Sequence, residues 1–135
     1  MVGTLAFADT VQSITINTQQ LPVTTITVKR PILNFYSTVF LKDYASEESV
    51  KYGLTDAQHT ILMATISCES GWNIHPKPNH ISWGIVEFTP ATWHDFGHGD
   101  IMNPITQIDT MIKMWSNGLE NRWDCYRLGL YKKYL

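Results

Sequence analysis

The sequence predicts an α+β domain that is mostly α, with a short β region, and three observations carry that prediction. Apolar residues recur at helical spacing over residues 56–68 and again over 104–115. Both stretches open on residues that cap helices, Thr55 with Gln58 in the first and Asn103-Pro104 in the second. Between them Ile81-Ser82-Trp83-Gly84-Ile85-Val86-Glu87-Phe88 reads as a short strand or extended wall.

Taken in order, the chain begins with Leu5-Ala6-Phe7-Ala8 before Asp9, which looks like the end of a signal peptide, with small residues at the −3 and −1 positions. Residues 1–8 are therefore expected to be the remnant of a leader, the alternative being an ordinary apolar N-terminus. Residues 9–31 are rich in Thr, Gln, Val and Ile, with Ile14/Ile16 and Ile26/Val28 alternating around Gln19-Gln20-Leu21-Pro22. They form either a β-hairpin or a flexible spacer, and composition does not separate the two. Residues 32–135 make up the folded domain. A helical pattern begins near Ile32, with Leu33, Tyr36, Phe40 and Tyr44 on one face; Ser46-Glu47-Glu48 suits the start of another short turn, and Gly53 breaks the pattern.

The next helix is predicted from Asp56 to about Cys68. Leu62, Ile66 and Glu69 fall along one side and Ala57, Ile61, Ala64 and Cys68 along the adjoining one, so it is expected to be buried over much of its girth. Pro76 and Pro78 make the following loop irregular. Thr89-Pro90 caps and opens a short helix through Trp93, which Gly97 and Gly99 end. In the last clear helix Ile105, Ile108, Met111, Ile112 and Trp115 form a core stripe that stops at Gly118. No element is predicted for the Tyr- and Lys-bearing tail after Trp123 and Cys125.

A length of 135 residues, 44% hydrophobic and 12% aromatic, fits one soluble domain. A net charge of −2 with no Lys/Arg cluster argues against nucleic acid as a partner, and no apolar run approaches the roughly 18 residues of a membrane span. Export would place Cys68 and Cys125 in an oxidising compartment, where they are expected to pair. His94 and His98 are four apart, but Gly97 lies between them and no glutamate follows His94, so no metal site is predicted; nor is any cofactor, since the chain holds no phosphate-cradling glycine loop.

The stretch Cys68-Glu69-Ser70-Gly71-Trp72-Asn73 puts a lone carboxylate where an apolar helix runs out into a polar, aromatic loop. Apolar and aromatic neighbours desolvate a carboxyl group and raise its pKa towards the range of a proton donor, which makes Glu69 the candidate acid. Trp72, Trp83 and Trp93 fall in the same middle stretch, where indole faces suit sugar rings, although large aromatics also fill cores.

Three separated pieces line up: Glu69-Ser70-Gly71 at a helix end, Ser82-Trp83-Gly84-Ile85-Val86-Glu87-Phe88 with Pro90 and Thr92-Trp93, and Asn103-Pro104 opening a helix. Their order and spacing resemble the lysozyme-like lytic transglycosylases, in which a Glu-Ser pair is followed by Ser-x-Gly-x-x-Gln-x and then Pro-x-Thr. Cys68 before Glu69, and Trp123-Asp124-Cys125, also resemble the resuscitation-promoting factors, exported proteins with the same small domain. The resemblance covers about residues 55–126.

It implies a small lysozyme-like domain, secreted or held in the cell envelope, that cuts the β-1,4 bond between MurNAc and GlcNAc of peptidoglycan glycan strands. Glu69 is then the general acid and base, and Ser82, Trp83, Gly84, Glu87, Trp72 and Thr92 are expected to bind substrate. Phe88 would also shape the groove, although its own character reads as core. Glu87 departs from the pattern, since it stands where the family has an amide that both donates and accepts. The transglycosylase route needs one carboxyl group and yields a 1,6-anhydro end. A hydrolytic lysozyme needs a second carboxylate, for which Glu87, Asp95, Asp100 and Asp109 are candidates. The remaining alternative is a wall-glycan-binding module without turnover.

Overall fold

The computed structural model describes residues 11–16, 24–29, 36–76 and 81–135, and the chain divides into two compact units, Met1–Phe35 and Tyr36–Leu135. In the first unit β1 (Val11–Ile16) and β2 (Thr24–Lys29) pair antiparallel, with Val11 opposite Lys29 and Ile14 opposite Ile26. Where residues 9–31 are described they are two paired strands, built from β-branched residues that favour extended backbone. Residues 1–8, the Gln19-Gln20-Leu21-Pro22 connection, Ile32, Leu33, Pro78 and His80 lie outside the described residues.

The second unit is mostly helical. Helix α1 (Thr38–Lys51) starts on Ser37, whose hydroxyl accepts from the Phe40 N–H at 3.2 Å. It runs unbroken through Ser46-Glu47-Glu48, where the sequence suggested a separate turn. Two buried polar residues are accommodated within it: the Ser49 hydroxyl donates to the Ala45 carbonyl at 2.7 Å, and Glu48 pairs with Lys51. Helix α2 (Asp56–Ser70) begins on the expected capping box, with the Gln58 N–H on Thr55 Oγ1 at 3.2 Å and the Thr55 N–H on Gln58 Oε1 at 2.9 Å. It continues past Cys68 through Glu69 and ends on Gly71, whose φ of 63° is the left-handed conformation that closes many helices.

Thr89 caps α3 (Pro90–Phe96), and the Asn103 side chain accepts from the Ile105 and Thr106 N–H groups to cap α4 (Pro104–Ser116). A 3₁₀ turn (Glu120–Arg122), the short α5 (Asp124–Arg127) and a second 3₁₀ turn (Leu130–Tyr134) complete the chain. Helix α4 is the spine of the core. Its Ile108, Met111, Ile112 and Trp115 are buried in one cluster with Leu41 and Ala45 of α1, Leu62 and Ile66 of α2, and Ile85, Val86, Phe88, Trp93 and Trp123. Full burial of each such aliphatic side chain contributes about 1.5–3 kcal/mol. The tail, for which no element was predicted, folds back onto α2. Among the described residues no helix is long and apolar enough to cross a membrane.

Residues 81–88 are not the expected strand or extended wall. Trp83 and Phe88 exchange both backbone hydrogen bonds, at 2.9 and 3.0 Å, and the Glu87 N–H donates to the Gly84 carbonyl at 3.1 Å. The backbone reverses within four residues, so the segment is a closed turn with a single bridge. Positive φ at Gly84 (79°) and at Glu87 (56°) makes that reversal possible.

Candidate active site

Glu69 lies in the last turn of α2, partly buried, with its Oε1 accepting from the Cys125 backbone N–H at 3.2 Å. Cys125, the second residue of α5, is bonded to Cys68, with the two Cα atoms 6.0 Å apart. One covalent link thus joins the residue before the acid to the residue whose N–H holds it. Burial raises the Glu69 pKa from the ordinary 4.5 to about 7; the Cys125 N–H opposes this by stabilising the charged form, and the negative charges of Glu87 and Asp124 reinforce it. A carboxyl group titrating near neutrality is a competent proton donor whose conjugate base is equally accessible.

The 83–88 turn, which carries Glu87, is fastened from three sides. The Ser70 hydroxyl, next in sequence to Glu69, donates to the Ile85 carbonyl at 2.5 Å. The Trp123 indole N–H donates to the Val86 carbonyl at 2.8 Å. From α4, Gln107 accepts from the Val86 N–H at 3.0 Å and donates to the Trp83 carbonyl at 2.8 Å and to the Ile101 carbonyl. Gly84 lies so close to this amide that a Cβ there would sit 2.1 Å from Gln107 Nε2. Glu87 holds a left-handed backbone that costs a non-glycine residue about 1–3 kcal/mol, so the fastened turn imposes it. Its carboxyl group is bonded to Ser82; burial raises its pKa and the Ser82 hydrogen bond lowers it.

Compared with known proteins, the chain matches no family model, no curated protein and no solved structure.

Of the residues expected to bind substrate, Ser82 and Glu87 are thus joined to each other, the Glu87 charge acts on Glu69, and Gly84 serves the turn's backbone. Trp83 is 43% exposed and lines an open apolar cavity of about 470 Å³ with Pro90, Trp93, His94, Gly99, Ile101 and Met102. Trp72 is placed differently from expectation: it is only 4% exposed, in the core, with its indole N–H on Ser67 Oγ at 2.9 Å and the Lys42 ammonium 5.6 Å from its ring. Two consecutive left-handed residues, Gly71 and Trp72, fold the ring back under the helix end, where little of it is exposed. Thr92 is engaged in the α3 cap, its N–H and hydroxyl both bonded to Thr89 Oγ1. Phe88 is core, packed edge-on against Trp93 and Trp123 with centroids 5.1 and 5.5 Å away.

The other candidate second carboxylates lie elsewhere. Asp95 pairs with His94, Asp100 accepts from the Met102 N–H at 2.8 Å, and Asp109 bonds to Tyr52 and Glu48 where α4 meets α1. Among the described residues no group of three or more His, Cys, Asp or Glu side chains is placed to hold a metal ion. Sequence reasoning passed over Gln107, which is fully buried on α4 beside Ile108 and a turn away from Pro104 and Met111, which are also buried. That placement was the available signal, because a buried amide must find partners and backbone groups are the commonest ones.

Proposed function

We propose that this chain is a peptidoglycan-cleaving glycosidase of the lysozyme-like type that acts on glycan strands outside the cytoplasm by the lytic transglycosylase route. The observation that carries this reading is the single carboxyl group of Glu69, raised to about 7 at a helix end and held by the Cys125 N–H. In this mechanism Glu69 gives its proton to the glycosidic oxygen as the bond from C1 of MurNAc breaks and positive charge develops on the sugar. The resulting carboxylate takes the proton of the sugar's own 6-hydroxyl as that oxygen bonds to C1. The product carries a 1,6-anhydro end, and Glu69 regains its proton. The Cys68–Cys125 bond supports an oxidising compartment as the place of action.

Glu87 stands in a supporting role, its negative charge keeping Glu69 protonated nearer to neutral pH. The same adjacency is what a two-carboxylate hydrolase would require, so product chemistry is the deciding measurement. Purified cell wall is digested with wild type, Glu69→Gln and Glu87→Gln, and the soluble fragments are weighed by mass spectrometry. The expected result is 1,6-anhydro fragments from wild type and Glu87→Gln, with none from Glu69→Gln. Reducing-end fragments, lost in Glu87→Gln, would establish a lysozyme instead. Equal glycan binding by wild type and Glu69→Gln, with no fragments from either, would leave only a binding module.

A further inference from the structure

Gln107 is fully buried in α4, and its amide is spent on three backbone groups: the Val86 N–H, the Trp83 carbonyl and the Ile101 carbonyl. Both amide hydrogens and one acceptor site are thereby used. Gly84 leaves room for this, since any Cβ would occupy the space the amide fills. Ser70 and Trp123 hold the turn by its carbonyls. Gln107 also engages the N–H of Val86, the residue directly before Glu87. Glu87 is the turn's left-handed non-glycine residue, so the path of the backbone entering it fixes where its carboxylate points.

We propose that Gln107 is a positioning residue that holds the 83–88 turn, and with it the Glu87 carboxylate, against Glu69. The proposal rests on Glu69 as the catalytic acid and adds what sets that acid's surroundings from another helix. The charged or bonding groups that act on Glu69 are the Glu87 and Asp124 carboxylates and the Cys125 N–H; on Glu87 it is the Ser82 hydroxyl. Among these carboxylates only Glu87 lies on the element that Gln107 grips. Loosening that grip lets the Glu87 charge move away, and Glu69 then loses its proton at lower pH.

The test is a ¹³C-carboxyl NMR titration of Glu69 in the full chain, disulfide intact and without glycan, for wild type, Glu87→Gln, Gln107→Met and the double variant. Met keeps the side chain's length and burial while removing all three hydrogen bonds. Both single variants are expected to titrate below the wild type, and the double variant no lower than Glu87→Gln alone. A Gln107→Met midpoint equal to wild type overturns the proposal. So does a shift that recurs in full in the Glu87→Gln background, which would mark general loosening around Glu69 rather than an effect through Glu87. Gln107→Asn, shorter by one methylene but still an amide, provides a second variant with less disturbance of the core; it is expected to shift the midpoint in the same direction, and no shift counts against the proposal. Glycan cleavage without this coupling overturns the inference alone, whereas coupling without cleavage upholds the positioning and overturns the function.

Discussion

Replacing Glu69 by glutamine is expected to stabilise the protein at neutral and alkaline pH while removing the group proposed to do the chemistry. In the unfolded chain a glutamate titrates near 4.5; in the folded protein burial lifts Glu69 to about 7. Below pH 4.5 the carboxyl group is protonated in both states and costs nothing. Between 4.5 and about 7 the unfolded state gives up its proton while the folded state keeps it, so stability falls as pH rises; above about 7 the loss is complete. At about 1.4 kcal/mol per pH unit the full loss is ~3 kcal/mol. Residual contact of the side chain with water lowers this to about 2 kcal/mol. Glutamine keeps an oxygen for the Cys125 N–H and carries no charge, so it escapes the loss. Urea unfolding followed by tryptophan fluorescence, with the disulfide intact, measures it. Glu69→Gln should exceed wild type by about 2 kcal/mol at about pH 8, and the gap should close by about pH 4. Equal stability at the higher pH, or a gap that widens as pH falls, refutes the reasoning.

Replacing both cysteines by alanine should cost up to about 4 kcal/mol by the chain-entropy argument for a 57-residue separation, read from the urea midpoint. Trp123→Phe keeps most of the packing against Phe88 and strands the buried Val86 carbonyl, so thermal unfolding should show a loss of about 1–3 kcal/mol. Alanine at Gly84 should be far more damaging than alanine at Gly53. Both have positive φ (79° and 72°), but only at Gly84 does a Cβ meet another side chain, 2.1 Å from Gln107. Comparable melting temperatures for those two variants would show that the Gln107 contact is unimportant.

What could be read from the sequence was mainly local. The Thr55–Gln58 capping box, the Asn103-Pro104 start and the core stripe of α4 each depend on residues a turn or two apart, and the structure has all three. Helix α1 was read as interrupted because Ser46-Glu47-Glu48 looks like a helix start; the hydrogen bond of Ser49 back to Ala45 and the pairing of Glu48 with Lys51 are made only once the helix exists. The 81–88 stretch has strand-like composition, but its form is dictated by Ser70, Gln107 and Trp123, which lie far away in sequence. Trp72 is expected from the sequence to bind substrate, with core filling as the alternative for such a ring. Two left-handed residues in succession, which composition does not reveal, send it inward.

The Cys68–Cys125 bond closes the chain into a covalent ring in which Glu69 is the first residue and Asp124 the last. The 83–88 turn, α3, α4 and Trp123 all lie inside it. A protease that cuts once anywhere within this ring therefore releases no fragment: the nicked protein stays one molecule, heavier by a single water, with the acid and the Cys125 N–H still tied at the ring's closure. Only a reductant then separates the pieces, so gels run with and without thiol will distinguish intact from nicked protein when an unreduced gel does not.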